Sequence, residues 1–198
     1  MIAIIDYGMG NLRSVQKALE FVGQNAIITD DISVMEKADK LVLPGVGAFG
    51  DAIATIRNKG IDNVIYDGIN KCKTFLGIFL CMQMVFDKSY EYGEYKGLGL
   101  IPGTIQLLPD NVKKPHIGWN NLNIKMREPL FKNIGESPYV YFVHSYYLET
   151  DAPVVSATTD YGKEIQVAVQ KDNIYALQFH PEKSGDVGLE ILKNFGGL

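Results

Sequence analysis

Cysteine is nearly absent from this chain: Cys72 and Cys81 are the only two in 198 residues. Two are too few for a disulfide framework or a metal cluster, and a reducing cytoplasm is the expected compartment. Long apolar runs are missing as well. No uninterrupted stretch approaches the ~20 residues of a membrane span. The apolar N-terminal segment, Met1 to Asp6, lacks a basic start and a cleavage site, so it reads as a first strand and not as a signal peptide. There is no excess of positive charge. Lys and Arg number 19 against 23 Asp and Glu, a formal net charge of −4, which argues against nucleic acid as the main partner. Repeats, low-complexity tracts and linkers are also absent, and residues 1–198 are expected to form a single domain with a sizeable core.

What is present is ordinary for a soluble globular protein, 46% hydrophobic and 21% charged. Ile2 to Ile5 is a short apolar run closed by Asp6-Tyr7-Gly8-Met9-Gly10-Asn11. Asn11 is placed to cap a helix that carries Leu12, Val15, Leu19 and Val22 on one face. Ala26 to Thr29 and Lys40 to Leu43 read as strands, with a short helix at Ser33–Lys37 between them. Strand, helix, strand at this spacing implies right-handed crossovers and a parallel sheet. Helical patterns follow at Phe49–Asn58 and Ile61–Asn70, then a strand at Phe75–Ile78. Beyond Trp119 the pattern is strand-rich, with expected strands at Tyr139–Leu148, Val154–Thr159, Ile165–Gln170 and Ile174–Phe179 and a closing helix at Gly185–Phe195.

Three features carry chemistry. In Gln178-Phe179-His180-Pro181-Glu182-Lys183-Ser184, the period of a strand would put His180 and Glu182 on one face. A carboxylate beside an imidazole fixes its tautomer and supports its cation, as in a base that activates a nucleophile. The plain reading is a solvated pair at a strand end. Pro44-Gly45-Val46-Gly47 follows a strand, where open α/β sheets bind ligands, and its glycines free backbone N–H groups to form an oxyanion hole. Gly8-Met9-Gly10-Asn11 also precedes a helix, but it lacks the Gly-x-Gly-x-x-Gly spacing and the P-loop lysine of a nucleotide site. His116 and His144 are either alternative bases or buried neutral histidines. Cys72, between Lys71 and Lys73, reads as a surface thiol.

Five segments together resemble one family: Asp6-Tyr7-Gly8-Met9-Gly10-Asn11, Leu43-Pro44-Gly45-Val46-Gly47, Pro115-His116-Ile117-Gly118-Trp119-Asn120, Tyr141-Phe142-Val143-His144-Ser145-Tyr146 and the Gln178–Ser184 segment. They are similar to the glutaminase subunits of imidazole glycerol phosphate synthases, a branch of the class I glutamine amidotransferases, and the resemblance runs from end to end. It implies a three-layer α/β sandwich with a mostly parallel central sheet. It also implies ammonia supplied from glutamine to a (β/α)₈-barrel cyclase of histidine biosynthesis, in a heterodimer, with no metal or organic cofactor. By resemblance His180 and Glu182 are catalytic, and Gly45, Val46 and Gly47 form the oxyanion hole. Gln83, His144, Ser145 and Tyr146 bind glutamine, and Asn11, Trp119, Asn120, Tyr141 and Lys183 meet the cyclase. Related readings are a paralogue feeding a sugar amidotransferase and an inactive scaffold for the cyclase.

One motif departs from the pattern. The family's nucleophile turn is Gly-Ile-Cys-Leu-Gly-Met-Gln, and here it is Gly77-Ile78-Phe79-Leu80-Cys81-Met82-Gln83. Phe79 stands where the nucleophilic cysteine belongs, and Cys81 where a glycine belongs. On a helix Cys81 lies about 200° around the axis and ~3 Å along it, far outside the roughly 1 Å that near-attack geometry tolerates. Three readings follow. The chain, natural or deliberately altered, keeps the fold and partner surface with little glutaminase activity, or a remodelled turn brings Cys81 to His180 as a substitute nucleophile, or the two positions are a sequence error and the native enzyme is ordinary.

Overall fold

The structure, a computed structural model, describes residues 1–198. Its first half alternates strand and helix: β1 (Ile2–Ile5), α1 (Leu12–Phe21), β2 (Ala26–Thr29), α2 (Ile32–Lys37), β3 (Lys40–Gly45), α3 (Phe49–Asn58), α4 (Ile61–Asn70), β4 (Thr74–Phe79) and α5 (Leu80–Met84). The second half is mostly strand: β5 (Lys88–Ser89), β6 (Tyr95–Lys96), β7 (Thr104–Leu107), β8 (His116–Asn121), β9 (Asn123–Ile124), β10 (Tyr139–His144), β11 (Tyr146–Glu149), β12 (Val155–Asp160), β13 (Glu164–Lys171) and β14 (Ile174–Leu177). A single 3₁₀ turn, Pro181–Lys183, leads into α6 (Gly185–Gly196).

β1 has no exposed residue, because a strand covered on both faces must be apolar on both. Ala3 and Ile5 join one core with Ile53, Ile56, Ile61 and Ile65 of α3 and α4. Ile2 and Ile4 join a second core with Val15 and Leu19 of α1 and Ile191, Leu192 and Phe195 of α6. The period of two thus sends alternate residues into the two helical layers. Between them lies a sheet ordered β2-β1-β3-β4-β14-β13-β11-β7-β5-β6. The first five strands are parallel, and β13, β11 and β7 continue it antiparallel. β8 and β10 form a separate antiparallel pair, with Trp119 opposite Tyr141.

Three expectations need correction. Tyr139–Leu148 is two strands: the chain breaks at Ser145, β10 pairs β8, and β11 crosses to pair β7 and β13 in the large sheet. β14 ends at Leu177, so His180 and Glu182 do not share a strand face. Pro181, whose fixed φ suits the first position of a helix, opens the 3₁₀ turn after His180. Asn11 precedes α1, but its side chain makes no capping bond to the helix backbone and instead accepts from Ser14 Oγ at 2.9 Å.

α6 leans directly on the turn that carries His180 and Glu182. A Cβ on Gly188 would stand 1.9 Å from the Pro181 carbonyl oxygen, a contact with backbone that no rotamer relieves. Gly188→Ala is therefore expected to destabilise the protein by about 1–3 kcal/mol, the usual range for overpacking. Urea unfolding would measure it, and an unchanged midpoint would contradict the packing described.

Candidate active site

Strand β4 runs into helix α5 with no intervening loop, and the turn falls on Phe79, at φ 58° and ψ −114°. A non-glycine residue in such a region costs of order 1–3 kcal/mol and persists only where its surroundings over-determine it. The surroundings here are tight: a Cβ on Gly77 would lie 2.8 Å from the Cys81 carbonyl oxygen. This is the geometry of a nucleophile elbow, which presents one side chain at the top of the sheet. The side chain presented is a phenyl ring. It stacks on His180 with centroids 4.7 Å apart and planes at 27°.

Behind that ring the His180–Glu182 pair is assembled. His180 Nδ1 donates to Glu182 Oε1 at 2.9 Å, with side chains 5% and 2% exposed. Donation from Nδ1 leaves Nε2 as the basic nitrogen. The backbone holds the imidazole from both sides: His180 N donates to the Tyr141 carbonyl at 3.1 Å, and Ser184 Oγ donates to the His180 carbonyl at 2.6 Å. The same Ser184 hydroxyl accepts from Tyr141 N at 3.0 Å, so β10 and the His180 turn are bonded to each other. Glu182 Oε2 is buried without a hydrogen-bond partner.

The structure does not bring Cys81 to this pair. Cys81 is fully buried in α5, with Sγ 3.5 Å from Tyr7 Oη. Burial pushes its thiol well above the ordinary value, so the thiolate that nucleophilic attack needs is disfavoured. A Cβ on Gly45 would stand 2.4 Å from this sulfur, so the side chain fits only because residue 45 is glycine. The expectation of a substitute nucleophile is corrected on that ground: Cys81 packs beneath the Pro44–Gly47 turn, and Phe79 occupies the place beside His180.

A cleft of about 220 Å³ opens in front of the elbow. Gly47, Gln83, His144, Ser145 and Tyr146, all singled out from the sequence, line it together with Phe79. Gly45 is buried and Val46 is exposed, and neither lines the cleft. Gln83 Nε2 donates to the Tyr146 carbonyl at 3.2 Å and to Gln178 Oε1 at 2.8 Å. Glu91 and Tyr92 also line the cleft, and sequence reasoning missed both. They sit between the two-residue strands β5 and β6, too short for any periodicity, and the one available signal was an acid flanked by Tyr90 and Tyr92. Glu91 Oε2 accepts from Phe49 N at 2.7 Å, capping α3, whose own N-cap residue is Ala48. Burial raises the pKa of this carboxyl. A larger groove of about 750 Å³ near Thr104 and Lys163 lies elsewhere, and its Lys163 and Glu149 are already paired at 2.8 Å.

The histidines outside the pair are neutral. Burial lowers His116 from 6.5 to about 4. Burial lowers His144 from 6.5 to about 3, with the Tyr146 carbonyl bond opposing and His116 adding to the fall. Of the expected interface residues, Trp119 is 54% exposed and meets Tyr141 edge-on, with centroids 6.0 Å apart. Lys183 is exposed on the 3₁₀ turn and Asn11 is half-buried. Asn120 faces the opposite side of β8 from Trp119, as the pleat requires, and donates to the Asp160 carbonyl. Cys72 is exposed. No group of three or more His, Cys, Asp or Glu side chains converges as a metal ligand set. No helix is long and apolar enough to cross a membrane.

An elbow, a His–Glu pair and a cleft at the carboxyl ends of parallel strands define an amidotransferase-type site, and the chain belongs to the family Glutamine amidotransferase class-I, which it matches over residues 3–196. It is 52% identical over 199 residues to the imidazole glycerol phosphate synthase subunit HisH of Caldanaerobacter subterraneus subsp. tengcongensis, covering 100% of this chain and 98% of that one. The HisH subunit of Aquifex aeolicus is 50% identical over 194 residues, covering 97% and 94%. Among solved structures, a glutamine amidotransferase superposes with a TM-score of 0.78 at 18% identity over 100% of both chains. PurLQS of Thermotoga maritima gives 0.76 at 20%, covering 98% of this chain and 96% of that one. These two show the shared fold, the three-layer α/β arrangement described above.

The two neutral histidines set a pH dependence. Unfolded, each takes up a proton below 6.5, whereas folded they resist until about 4 and about 3. The unfolded state therefore binds more protons in that window, and stability, complete above 6.5, falls as pH falls, by about 1.4 kcal/mol per unit for each such histidine. Between pH 6.5 and about 5, urea unfolding should show this slope, and His116→Gln should reduce it. A slope unchanged by the substitution would contradict the buried neutral pair.

Proposed function

We propose that this chain is the glutaminase subunit of an imidazole glycerol phosphate synthase, and that Phe79 impairs its own glutaminase step. The family and the HisH relatives support the first part. One observation carries the second: the Phe79 ring lies 4.7 Å from the His180 ring, where the nucleophile of the reaction belongs.

In that reaction a thiolate attacks the side-chain carboxamide carbon of glutamine, and the imidazole passes its proton to the departing ammonia. Water then hydrolyses the thioester to glutamate and regenerates the thiol. This chain supplies the base His180, its orienting carboxylate Glu182, and the Pro44–Gly47 turn as the source of N–H groups for the developing oxyanion. Glu91 puts a carboxylate in the cleft, the complement of an amino acid's ammonium group. What is missing is the thiolate.

Ammonia is useful only if a second subunit consumes it. Ile117, Trp119 and Tyr139 are exposed, and with Tyr141 they give the β8–β10 pair an aromatic outer face. Aromatic anchors of this kind dominate binding energy at protein interfaces. Trp119, Tyr141 and the exposed Lys183 are read as the docking surface for a (β/α)₈-barrel cyclase. The same stacking favours a second reading, in which the chain orders the cyclase as a scaffold while the cyclase uses free ammonium.

Repair of the site separates the two readings. Phe79→Cys with Cys81→Gly restores the thiol at the elbow and clears the sulfur from beneath Gly45. A nucleophile supplies on the order of 10⁶ in rate in a triad-type enzyme. Glutamine hydrolysis in the presence of the cyclase is expected to rise at least about a thousandfold over the unmodified chain, with Phe79→Cys alone recovering less. A double variant that stays inert with its cyclase bound would overturn the assignment of His180, Glu182 and the elbow.

A further inference from the structure

One chain of hydrogen bonds joins the β8–β10 pair to the cleft, and its donor directions are fixed from both ends. At the cleft end the Tyr146 carbonyl can only accept. His144 Nδ1, 2.8 Å away, therefore carries the proton, and His144 Nε2 is an acceptor. His116 Nδ1 lies 3.0 Å from that nitrogen and so must donate, which makes His116 Nε2 an acceptor too. At the other end Asn120 Oδ1 accepts from Asn121 N at 2.9 Å. Its Nδ2 donates to the Asp160 carbonyl at 3.0 Å and turns a proton toward His116 Nε2 at 3.4 Å. Two backbone bonds thus orient the Asn120 amide independently of the histidines, and the orientation agrees with the one Tyr146 demands.

The relay is enclosed. His116 and His144 are 4% and 3% exposed. The His116 ring is stacked between Tyr161, at 3.9 Å, and Phe142, at 4.8 Å. At its far end the Tyr146 carbonyl also accepts from Gln83, a residue of the cleft wall.

We infer that Asn120, His116 and His144 form a polarised relay that positions the Tyr146 carbonyl and the Ser145–Tyr146 corner of the cleft, making Asn120 a positioning residue for the cleft and not an anchor for a partner. Both imidazoles are held as the Nδ1–H tautomer, the less populated one in a free histidine side chain. A donor reversed at any point sets two lone pairs face to face further along. Asn120→Asp does this with almost no change of shape. A carboxylate oxygen would call a proton to His116 Nε2 and leave His116 Nδ1 facing the His144 Nε2 lone pair.

Nitrogen-15 NMR of the full chain, labelled at its three histidines, reads the tautomers directly. His116 and His144 are expected as Nδ1–H neutral rings in the parent chain and in Asn120→Ala, and Asn120→Asp should move the His116 proton to Nε2. An Nε2–H signal from either ring in the parent, or an Asn120→Asp spectrum identical to it, overturns the relay. This readout does not depend on what the cleft binds. The positioning role does rest on the cleft being the glutamine site, and it is read in the Phe79→Cys, Cys81→Gly background. There Asn120→Asp should raise KM for glutamine about tenfold and leave kcat nearly unchanged, the sign of lost uniform binding through one weakened polar contact. An unchanged KM in an active double variant overturns the positioning role, whereas an inactive double variant fails the functional reading before this substitution is made.

Discussion

Gly77 has no side chain, and the Cys81 carbonyl passes 2.8 Å from where its Cβ would stand. That close approach lets β4 turn into α5 without a loop and obliges the pivot residue to take a φ of 58°. The backbone there lifts one side chain off the sheet toward His180 and aligns the first turn of a helix behind it. Phe79 keeps this strained conformation although a phenyl ring has no use for it. Chemistry and scaffold have separated at this one position. The elbow, the His180–Glu182 pair and the Pro44–Gly47 turn, proposed as base, orienting carboxylate and oxyanion source, stand around a phenyl ring that cannot attack.

Residues 79 and 81 are each accommodated by packing. A thiol at 81 is accommodated because Gly45 offers no Cβ, and Tyr7 Oη provides the sulfur with a polar neighbour at 3.5 Å. The cost is reactivity, since full burial stabilises the thiol against the thiolate. Phe79, for its part, finds a flat partner in His180, and stacked rings at 4.7 Å are worth about 0.5–1.5 kcal/mol. The stacking offsets part of the backbone strain and covers the His180 imidazole.

Much of this was legible in the sequence, for reasons that differ by element. β1, β3 and β4 are short apolar runs, and α1, α3, α4 and α6 carry an apolar stripe, so their positions follow from periodicity. His180 and Glu182 were found, though by the wrong geometry. They meet through a 3₁₀ turn, and spacing alone does not distinguish that from a strand. The split at Ser145 was invisible because the aromatic and apolar pattern runs unbroken from Tyr139 to Leu148 while the hydrogen-bond partners change from β8 to β7. Glu91 was missed because strands of two residues leave no pattern. Trp119 and Asn120, taken together as a surface pair, part company because neighbours in a strand point to opposite faces. That is a rule of the pleat, and the family resemblance obscured it.

The central claim is that no nucleophile stands at the elbow and that the thiol nearby in sequence is out of reach. Treating the native chain with an electrophilic glutamine analogue, which alkylates a thiolate held in a glutamine site, and mapping the adduct by mass spectrometry tests this most directly. The account predicts no adduct on the peptide that carries Phe79 and Cys81, with or without the cyclase. A stoichiometric adduct on Cys81 would show that the turn rearranges to deliver its sulfur to His180, and would contradict the account.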